Sequence, residues 1–219
     1  MHALAVADAP FLSLWLCPLD AMPGADRLAW LSSDEHSRAM RFVFEHDRRR
    51  YIAAHCALRE RLSACTGVAP GALQIVAEAF EKPRLANVPG CHFNLSRRQE
   101  WALLGISQVG EIGVDIEMRR AVGEIGTLAR THLSAAEFKT FLAVAPAERD
   151  DAFLRGWTRK EACLKAVGAG LRIAPASLEV GLGDEVVELS IALPLGATRV
   201  EVRSINAGPG VLAAVARIL

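Results

Sequence analysis

The order of strand and helix signals constrains the fold of this chain more than any other feature. Short apolar or alternating runs, which are typical of strands, are followed by segments with apolar residues at helical spacing and then by further short strands. The same order of strand, helices and strands occurs a second time. The pattern therefore predicts an α+β protein that consists of two halves.

We place the join of the halves between residues 107 and 113, and expect an N-terminal half over residues 1–108 and a C-terminal half over residues 109–219. No Gly/Ser-rich or Pro-rich linker separates them. Halves without a flexible linker are expected to pack closely and to share an interface. No residue-level repeat relates one half to the other.

Individual elements are marked by their ends and their periodicity. Residues 32–35 and 134–137 have the capping-box pattern Ser-x-x-Glu, which predicts helix starts. Long helices are predicted from Asp47 to Gly67 and over about residues 147–167. Strands are predicted over residues 11–17, 73–76, 92–96, 101–107, 112–117, 178–182, 186–193, 199–205 and 211–218. The polar residues 97–100 predict a hairpin turn.

Composition narrows the class of protein. The chain has 219 residues, 52% of them hydrophobic, and 25 Lys and Arg residues balance 25 Asp and Glu residues. This balance gives no charge that would recruit the chain to nucleic acid or to a membrane. No Lys or Arg precedes Arg27, which argues against a secretory signal. Five cysteines without a C-x-x-C pair favour free thiols in a cytoplasmic protein.

Two acids alternate with apolar residues on the strand predicted over residues 112–117. Asp115 and Glu117 point to the same face, because successive side chains of a strand alternate, while Val114 and Ile116 point into the core. Two carboxylates on one face repel unless a cation or solvent lies between them. Magnesium binds to one or two carboxylates together with phosphates and water. The alternative is a strand that leaves the sheet with two solvated acids.

A second candidate segment lies on the helix over residues 147–167. Glu161 and Lys165 are four residues apart and share a helical face, next to Trp157. An ordinary helix would use them as a surface ion pair and would bury Trp157 in the core. If they instead faced the two strand acids, a third carboxylate and an ammonium would complete a site for a metal and a phosphate.

Arginines form the third candidate group. Arg97 and Arg98 lie in the predicted hairpin turn, and five arginines are concentrated between Arg38 and Arg50. Beside a cleft such side chains bind phosphate, because the guanidinium donates several hydrogen bonds in one plane. Elsewhere they are simply solvated.

These segments together resemble one family. Phe93-Asn-Leu-Ser96, Gly113-Val-Asp-Ile-Glu117 and Trp157-x-x-Lys-Glu-Ala-x-x-Lys165-x-x-Gly168 are similar in order and spacing to motifs of the 4′-phosphopantetheinyl transferases. The spacing is similar to that of the surfactin-type branch, whose members are single chains of two pseudo-symmetric halves. The resemblance covers residues 30–182 and includes Lys82-Pro83 and the region around Arg38.

Three positions depart from the family pattern. The family's Asn-x-Ser-His is Asn94-Leu-Ser96-Arg97, so an arginine replaces the usual phosphate-binding histidine. Glu35 occupies one of the basic positions before Arg38, and Glu81 replaces the glycine before Lys82. The metal-binding and catalytic acids of the pattern are all present.

The resemblance implies transfer of the 4′-phosphopantetheine group of coenzyme A to a serine hydroxyl of an apo carrier protein, with release of adenosine 3′,5′-bisphosphate. It also implies an active site in the cleft between the halves of a monomer. The implied magnesium ligands are Asp115, Glu117 and Glu161. Asp115, Glu161 and Lys165 are the implied catalytic residues, with Glu161 as the base and Lys165 stabilising charge on the leaving phosphate. The implied coenzyme A ligands are Arg38, Arg50, Lys82, Ser96, Arg97 and Lys165.

Two other functions stay open at this point. The chain could bind coenzyme A without transferring it, which the Arg97 departure favours. It could also be a magnesium-dependent phosphohydrolase that uses the same acids and a positioned water, with no carrier protein as partner.

Overall fold

The computed structural model of the protein describes residues 2–4, 12–77 and 82–219. Its helices are α1 (Ala25–Leu28), α2 (Ser33–Ala39), α3 (Glu45–Thr66), α4 (Ile125–His132), α5 (Ala135–Ala143) and α6 (Arg149–Ala166). Its strands are β1 (His2–Leu4), β2 (Leu12–Pro18), β3 (Ile75–Val76), β4 (Arg84–Leu85), β5 (His92–Arg98), β6 (Trp101–Ser107), β7 (Ile112–Met118), β8 (Val187–Leu193), β9 (Gly196–Ile205) and β10 (Val211–Ile218). Short 3₁₀ turns lie at Pro70–Ala72, Pro146–Glu148, Gly170–Arg172 and Pro175–Ser177.

The strands form two four-stranded antiparallel sheets and one small ribbon. The sheet orders are β1-β2-β6-β5 in the first half and β7-β10-β9-β8 in the second, and β3 pairs with β4. In each half, a strand that precedes the helices pairs with the last strand of that half: β2 with β6, and β7 with β10. This shared connectivity confirms the predicted α+β class and the pseudo-symmetry of the two halves.

Four layers are stacked in the order α3, first sheet, second sheet, α6. Side chains alternate along a strand, so each sheet can bury both of its faces. One face of the first sheet packs against α3, and one face of the second packs against α6. The two inner faces pack against each other through Leu14, Leu16, Leu103, Val114, Ile116, Ala213 and Val215.

The predicted helix signals are confirmed where a cap is present. Ser32 and Ser134 both form complete capping boxes, at α2 and α5. Helix α3 begins two residues before Asp47 and ends at Gly67, whose φ of 74° lies in the left-handed region that glycine tolerates. Phe11, the first residue of the strand predicted over residues 11–17, lies outside the described residues, as does Glu81.

One predicted strand is wrong, and the helices α1 and α4 were not predicted. Residues 178–182 are irregular, because buried side chains rather than a neighbouring strand satisfy their backbone. Glu137 accepts from the amides of Val180 and Gly181, while Arg159 and Lys160 donate to carbonyls of this segment. Helix α4 starts without a side-chain cap, so its start carries no capping signal in the sequence.

The five cysteines are free thiols, and three of them are buried. Burial raises the pKa of Cys17 and of Cys56 to about 11.

Among the residues that the structure describes, no helix has the length and apolar character needed to cross a membrane.

Strand β7 lies directly against α6 because Gly113 has no side chain. A Cβ at this position would lie 2.0 Å from the carbonyl oxygen of Ala162 and 2.3 Å from the amide nitrogen of Ala166. Both contacts are to backbone, which cannot move aside as the end of a flexible side chain can. The glycine therefore fixes the distance between the strand and the helix.

We expect Gly113→Ala to lower the free energy of unfolding by at least about 3 kcal/mol, because α6 must move away from β7 to admit the methyl group. Urea unfolding measures this. Gly110→Ala is the matched control, since its Cβ would meet no atom closer than 3.9 Å. We expect that variant to change the free energy by less than about 0.5 kcal/mol. Equal effects of the two substitutions would contradict the close approach.

A buried acid holds the N-terminal helices together. Glu35 is 7% exposed, and its carboxylate lies 2.8 Å from Nδ1 of His55 and 2.8 Å from Nε of Arg59. Burial alone raises the pKa of Glu35, but the hydrogen bonds from His55, Arg59 and Ser32 outweigh it and lower the pKa from 4.5 to about 2. The lowered pKa means that the folded state favours the ionised acid.

Because the pKa of Glu35 is lowered, its ionisation stabilises the fold fully above pH 4.5 and the effect is lost as the pH falls towards about 2. The contribution at pH 7 is roughly 3 kcal/mol. In urea unfolding, the stability gap between wild type and Glu35→Gln should narrow by about 2 kcal/mol between pH 7 and pH 3. Glu188→Gln, which changes an exposed acid, is the control. A gap that does not depend on pH would contradict this expectation.

Candidate active site

The strand acids meet a lysine and a serine from two other elements. Asp115 on β7 is 6% exposed, and its Oδ1 accepts from Oγ of Ser96 at 2.8 Å and from Nζ of Lys165 at 2.5 Å. Nζ of Lys165 also lies 3.0 Å from Oγ of Ser96. Because Ser96 lies on β5 and Lys165 on α6, the cluster joins the two halves.

Glu117 and Glu161 line the same pocket as Asp115. This pocket, which we call the acidic pocket, has a volume of about 310 Å³ and is lined by Ser96, Arg97, Arg98, Asp115, Ile116, Glu117, Trp157, Glu161 and Lys165. Residues 113, 115 and 117 face α6, whereas Val114 and Ile116 are buried between the sheets. The predicted alternation of β7 and the shared face of Glu161 and Lys165 therefore bring these side chains together.

Three acids and three cations line the acidic pocket, and its acids still raise one another's pKa. Burial raises the pKa of Glu161, the neighbouring carboxylates of Asp115 and Glu117 raise it further, and Lys165 lowers it. Burial also raises the pKa of Glu117, which the charge of Arg98 opposes and that of Asp115 increases. A cation between these acids would relieve their repulsion.

The donor set fits a hard divalent cation. Magnesium prefers carboxylate oxygens that leave positions for phosphate and water. Oε2 of Glu117 is buried without a hydrogen bond, although Nε of Arg98 lies 2.9 Å away. In the described part of the chain no three such side chains are already gathered as a metal-binding group. Lys165 lies against Oδ1 of Asp115.

A second cavity lies on the other side of β5. It has a volume of about 530 Å³, and its walls include Arg38, Arg97, Phe42, Tyr51 and Pro83. We call it the arginine cavity. The guanidinium carbon of Arg97 lies 5.2 Å from the ring centre of Tyr51 and 5.8 Å from that of Phe42. Cations and rings attract each other at these distances. The guanidinium is therefore held at the wall of a space large enough for a nucleotide.

Adjacent residues of β5 reach both cavities. Arg97 lies within the strand, opposite Ala102 of β6, and not in the turn where the sequence placed it; the turn consists of residues 99 and 100. Because strand neighbours point to opposite faces, Ser96 reaches Asp115, while Arg97 reaches the ring of Tyr51 on α3 and that of Phe42 before α3. The two cavities thus share one wall.

A larger cavity, of about 770 Å³, lies between α5, α6 and residues 179–187. Its walls include Glu148, Asp151, Glu179 and Glu185. It contains none of the predicted site residues, so its size does not make it the better candidate.

Two predicted coenzyme A ligands are not brought to either cavity. The guanidinium of Arg50 pairs with Asp20, with Nη2 2.8 Å from Oδ1. Nζ of Lys82 points between the halves to Glu111, Ile112 and Ala166. Neither residue forms part of the walls of the acidic pocket or of the arginine cavity. Their roles as coenzyme A ligands stay predictions.

Sequence reasoning assigned no role in the site to three residues that shape it. Asn94 Oδ1 accepts from the amide of Val114 at 2.9 Å and so joins β5 to β7. Its position two residues before Ser96, on the same strand face, was the available signal. Tyr51 was given no role in the site, and Trp157 was quoted only as part of a motif, yet each lines one of the two cavities.

Family models match both halves of the chain. The model described as "4'-phosphopantetheinyl transferase superfamily" matches residues 111–201. A second, described as "4'-phosphopantetheinyl transferase, N-terminal", matches residues 25–108. The first match contains the acidic residues of the site, and the second contains Ser96, Arg97 and the arginine-rich helices.

Curated relatives give the same result. The chain is 37% identical over 163 residues to the 4'-phosphopantetheinyl transferase HetI of a Nostoc species, which covers 72% of this chain and 69% of that protein. It is 28% identical to a 4'-phosphopantetheinyl transferase of Bacillus subtilis, over 82% of this chain and 78% of the relative. It is 24% identical to the 4'-phosphopantetheinyl transferase Sfp of Bacillus subtilis, over 88% and 84% of the two chains. The two family-model matches and these relatives show that the chain belongs to the 4′-phosphopantetheinyl transferase superfamily.

Proposed function

We propose that this protein transfers the 4′-phosphopantetheine group of coenzyme A to a serine hydroxyl of an apo carrier protein and releases adenosine 3′,5′-bisphosphate, with magnesium as the metal. One observation carries the proposal: three carboxylates and a lysine line one pocket, and that pocket shares Arg97 with a cavity of nucleotide size. Membership of the superfamily supports the same type of transfer.

The reaction must bring an anionic pyrophosphate to a weak nucleophile. Asp115, Glu117 and Glu161 would hold the magnesium ion, which offsets charge on the pyrophosphate oxygens. Glu161 would take the serine proton, the role that the resemblance implies for it, and it lies in the same pocket as Lys165. The ammonium of Lys165 would stabilise the negative charge of the leaving phosphate.

The nucleotide end is held by the arginine cavity. Arg97 and Arg38 provide permanent positive charge there, since a guanidinium stays protonated near neutral pH. Ser96 lies between the two cavities and orients Asp115. Because one chain supplies every element of the site, we also propose that the enzyme acts as a monomer. Its free thiols support action in the cytoplasm.

One assay separates this proposal from its alternatives. The protein is incubated with coenzyme A, magnesium and an apo carrier protein, and the carrier is weighed by mass spectrometry. A carrier that gains the mass of a phosphopantetheinyl group supports transfer. Cleavage of coenzyme A without that gain would show a phosphohydrolase, and binding without either would show an inactive coenzyme A-binding protein.

We expect Asp115→Asn to lower the rate of transfer by about a hundredfold or more, because it removes one negative charge from the proposed metal-binding acids and from the ion pair with Lys165. Carrier loading under saturating coenzyme A measures the rate. Glu188→Gln removes an acid from an exposed ion pair on β8 and serves as the control. A folded Asp115→Asn enzyme with wild-type activity would show that this acid has no role in the reaction.

We expect Arg97→Ala to weaken coenzyme A binding by roughly ten- to a hundredfold, the usual effect of losing a charge-assisted hydrogen bond. Binding of dephospho-coenzyme A should weaken less if the 3′-phosphate is the partner of Arg97. Isothermal calorimetry measures both affinities. Arg50→Ala is the matched control, because Arg50 pairs with Asp20 and lines neither cavity. Unchanged affinity in Arg97→Ala would show that the side chain is only solvated.

A further inference from the structure

Lys82 uses all of its hydrogen-bonding capacity inside the protein. Its ammonium donates to the carboxylate of Glu111, to the carbonyl oxygen of Ile112 at 2.5 Å and to that of Ala166 at 3.3 Å. An ammonium has three donor hydrogens, so these three acceptors satisfy it completely. The side chain is only 13% exposed. No donor of Lys82 is left for a phosphate.

The acceptors of Lys82 belong to the two elements that carry the acids. Ile112 is the first residue of β7, which carries Asp115, and Ala166 is the last residue of α6, which carries Glu161. The carbonyl groups at the end of a helix carry partial negative charge, which favours a nearby cation. Lys82 therefore ties the start of the strand and the end of the helix to one ammonium group.

The contact also includes the strand of the first half. Glu111 accepts from Lys82 and lies 2.8 Å from Nδ1 of His92, the first residue of β5. Strand β5 carries Ser96 and Arg97, so Lys82, Glu111 and His92 connect all three elements of the site. The residue after Lys82, Pro83, forms part of the wall of the arginine cavity.

We propose that Lys82 is a positioning residue, which fixes β5, β7 and α6 relative to one another and does not bind the nucleotide. This inference rests on the proposed function, since it concerns the geometry of the same site. Lys82 acts on the reaction through the placement of Asp115 and Glu161. A displacement of a reacting group by about an ångström lowers rates by up to about a hundredfold.

The test is Lys82→Met, which keeps the length of the side chain and removes its charge and donors. We expect kcat for carrier loading to fall by about tenfold or more, while Kd for coenzyme A, measured by calorimetry, changes less than about threefold. Lys139→Met, at an exposed position on α5, is the control. A Kd raised by about tenfold with unchanged kcat would show that Lys82 binds the nucleotide. Two unchanged values would also overturn the proposal.

Binding of Mn²⁺, measured by electron paramagnetic resonance, separates positioning from mere stabilisation. Well below the melting temperature, a lysine that only stabilises the fold leaves Mn²⁺ affinity unchanged, whereas a positioning lysine should weaken it by about tenfold in Lys82→Met. If that variant does not fold, Glu111→Gln should give the same pattern with an effect on kcat of about threefold. A wild-type enzyme that loads no carrier would refute the proposed function alone, because the two binding measurements still test Lys82.

Discussion

Two edge strands from different halves meet without a backbone ladder between them, and the site depends on how that junction is made. Strands β5 and β7 lie at the edges of their sheets. Asn94 supplies a side-chain acceptor for the amide of Val114, and Ser96 donates to Asp115. An edge strand presents unpaired backbone groups that must find partners when buried. Here the partners are polar side chains, so the same contacts close the junction and orient Asp115, for which we propose a catalytic role.

Helix α6 is held on one side by buried cations, and its other side carries an acid of the candidate site. Lys160 is fully buried and donates to Glu137 at 2.6 Å and to the carbonyl of Pro175 at 3.0 Å. Arg159, also fully buried, donates to the carbonyls of Val180 and Glu185. Removing one partner of such a buried pair is strongly destabilising. Glu161, which follows Lys160, faces the acidic pocket, so these buried contacts hold it at the site.

Much of the fold could be predicted because its signals are local. The alternation of β7, the capping boxes at Ser32 and Ser134 and the left-handed stop at Gly67 each follow from a few neighbouring residues. The segment 178–182 could not be predicted in this way, because its backbone partners are Glu137 and Lys160, which are distant in sequence. Short apolar runs look alike in a sequence, whether their backbone groups bond to a neighbouring strand or to buried side chains.

The placement of the acids in the site could be predicted because its signal is also local, whereas the placement of the cations could be predicted only in part. Asp115 and Glu117 share a face by strand geometry alone, whereas the partner of an arginine or a lysine is decided by the fold. Arg50 lies beside Tyr51 in the sequence, yet it pairs with Asp20 across the surface. Lys82 matches a motif, yet its acceptors lie 29 to 84 residues further along the chain. Neither outcome can be deduced from spacing.

Arg97, which departs from the family pattern, is held in place by its neighbours in the way that the proposed binding of a phosphate requires. A long arginine side chain loses much rotamer freedom when it binds an anion. Contact with Tyr51 and Phe42 restricts that freedom before any ligand is present, and preorganisation of this kind lowers the cost of binding. Tyr51 is itself stacked on His55, with ring centres 4.1 Å apart, and His55 contacts the buried Glu35. The acid that stands at a basic position of the family pattern thus supports, through two rings, the arginine that stands at the position of the family's histidine.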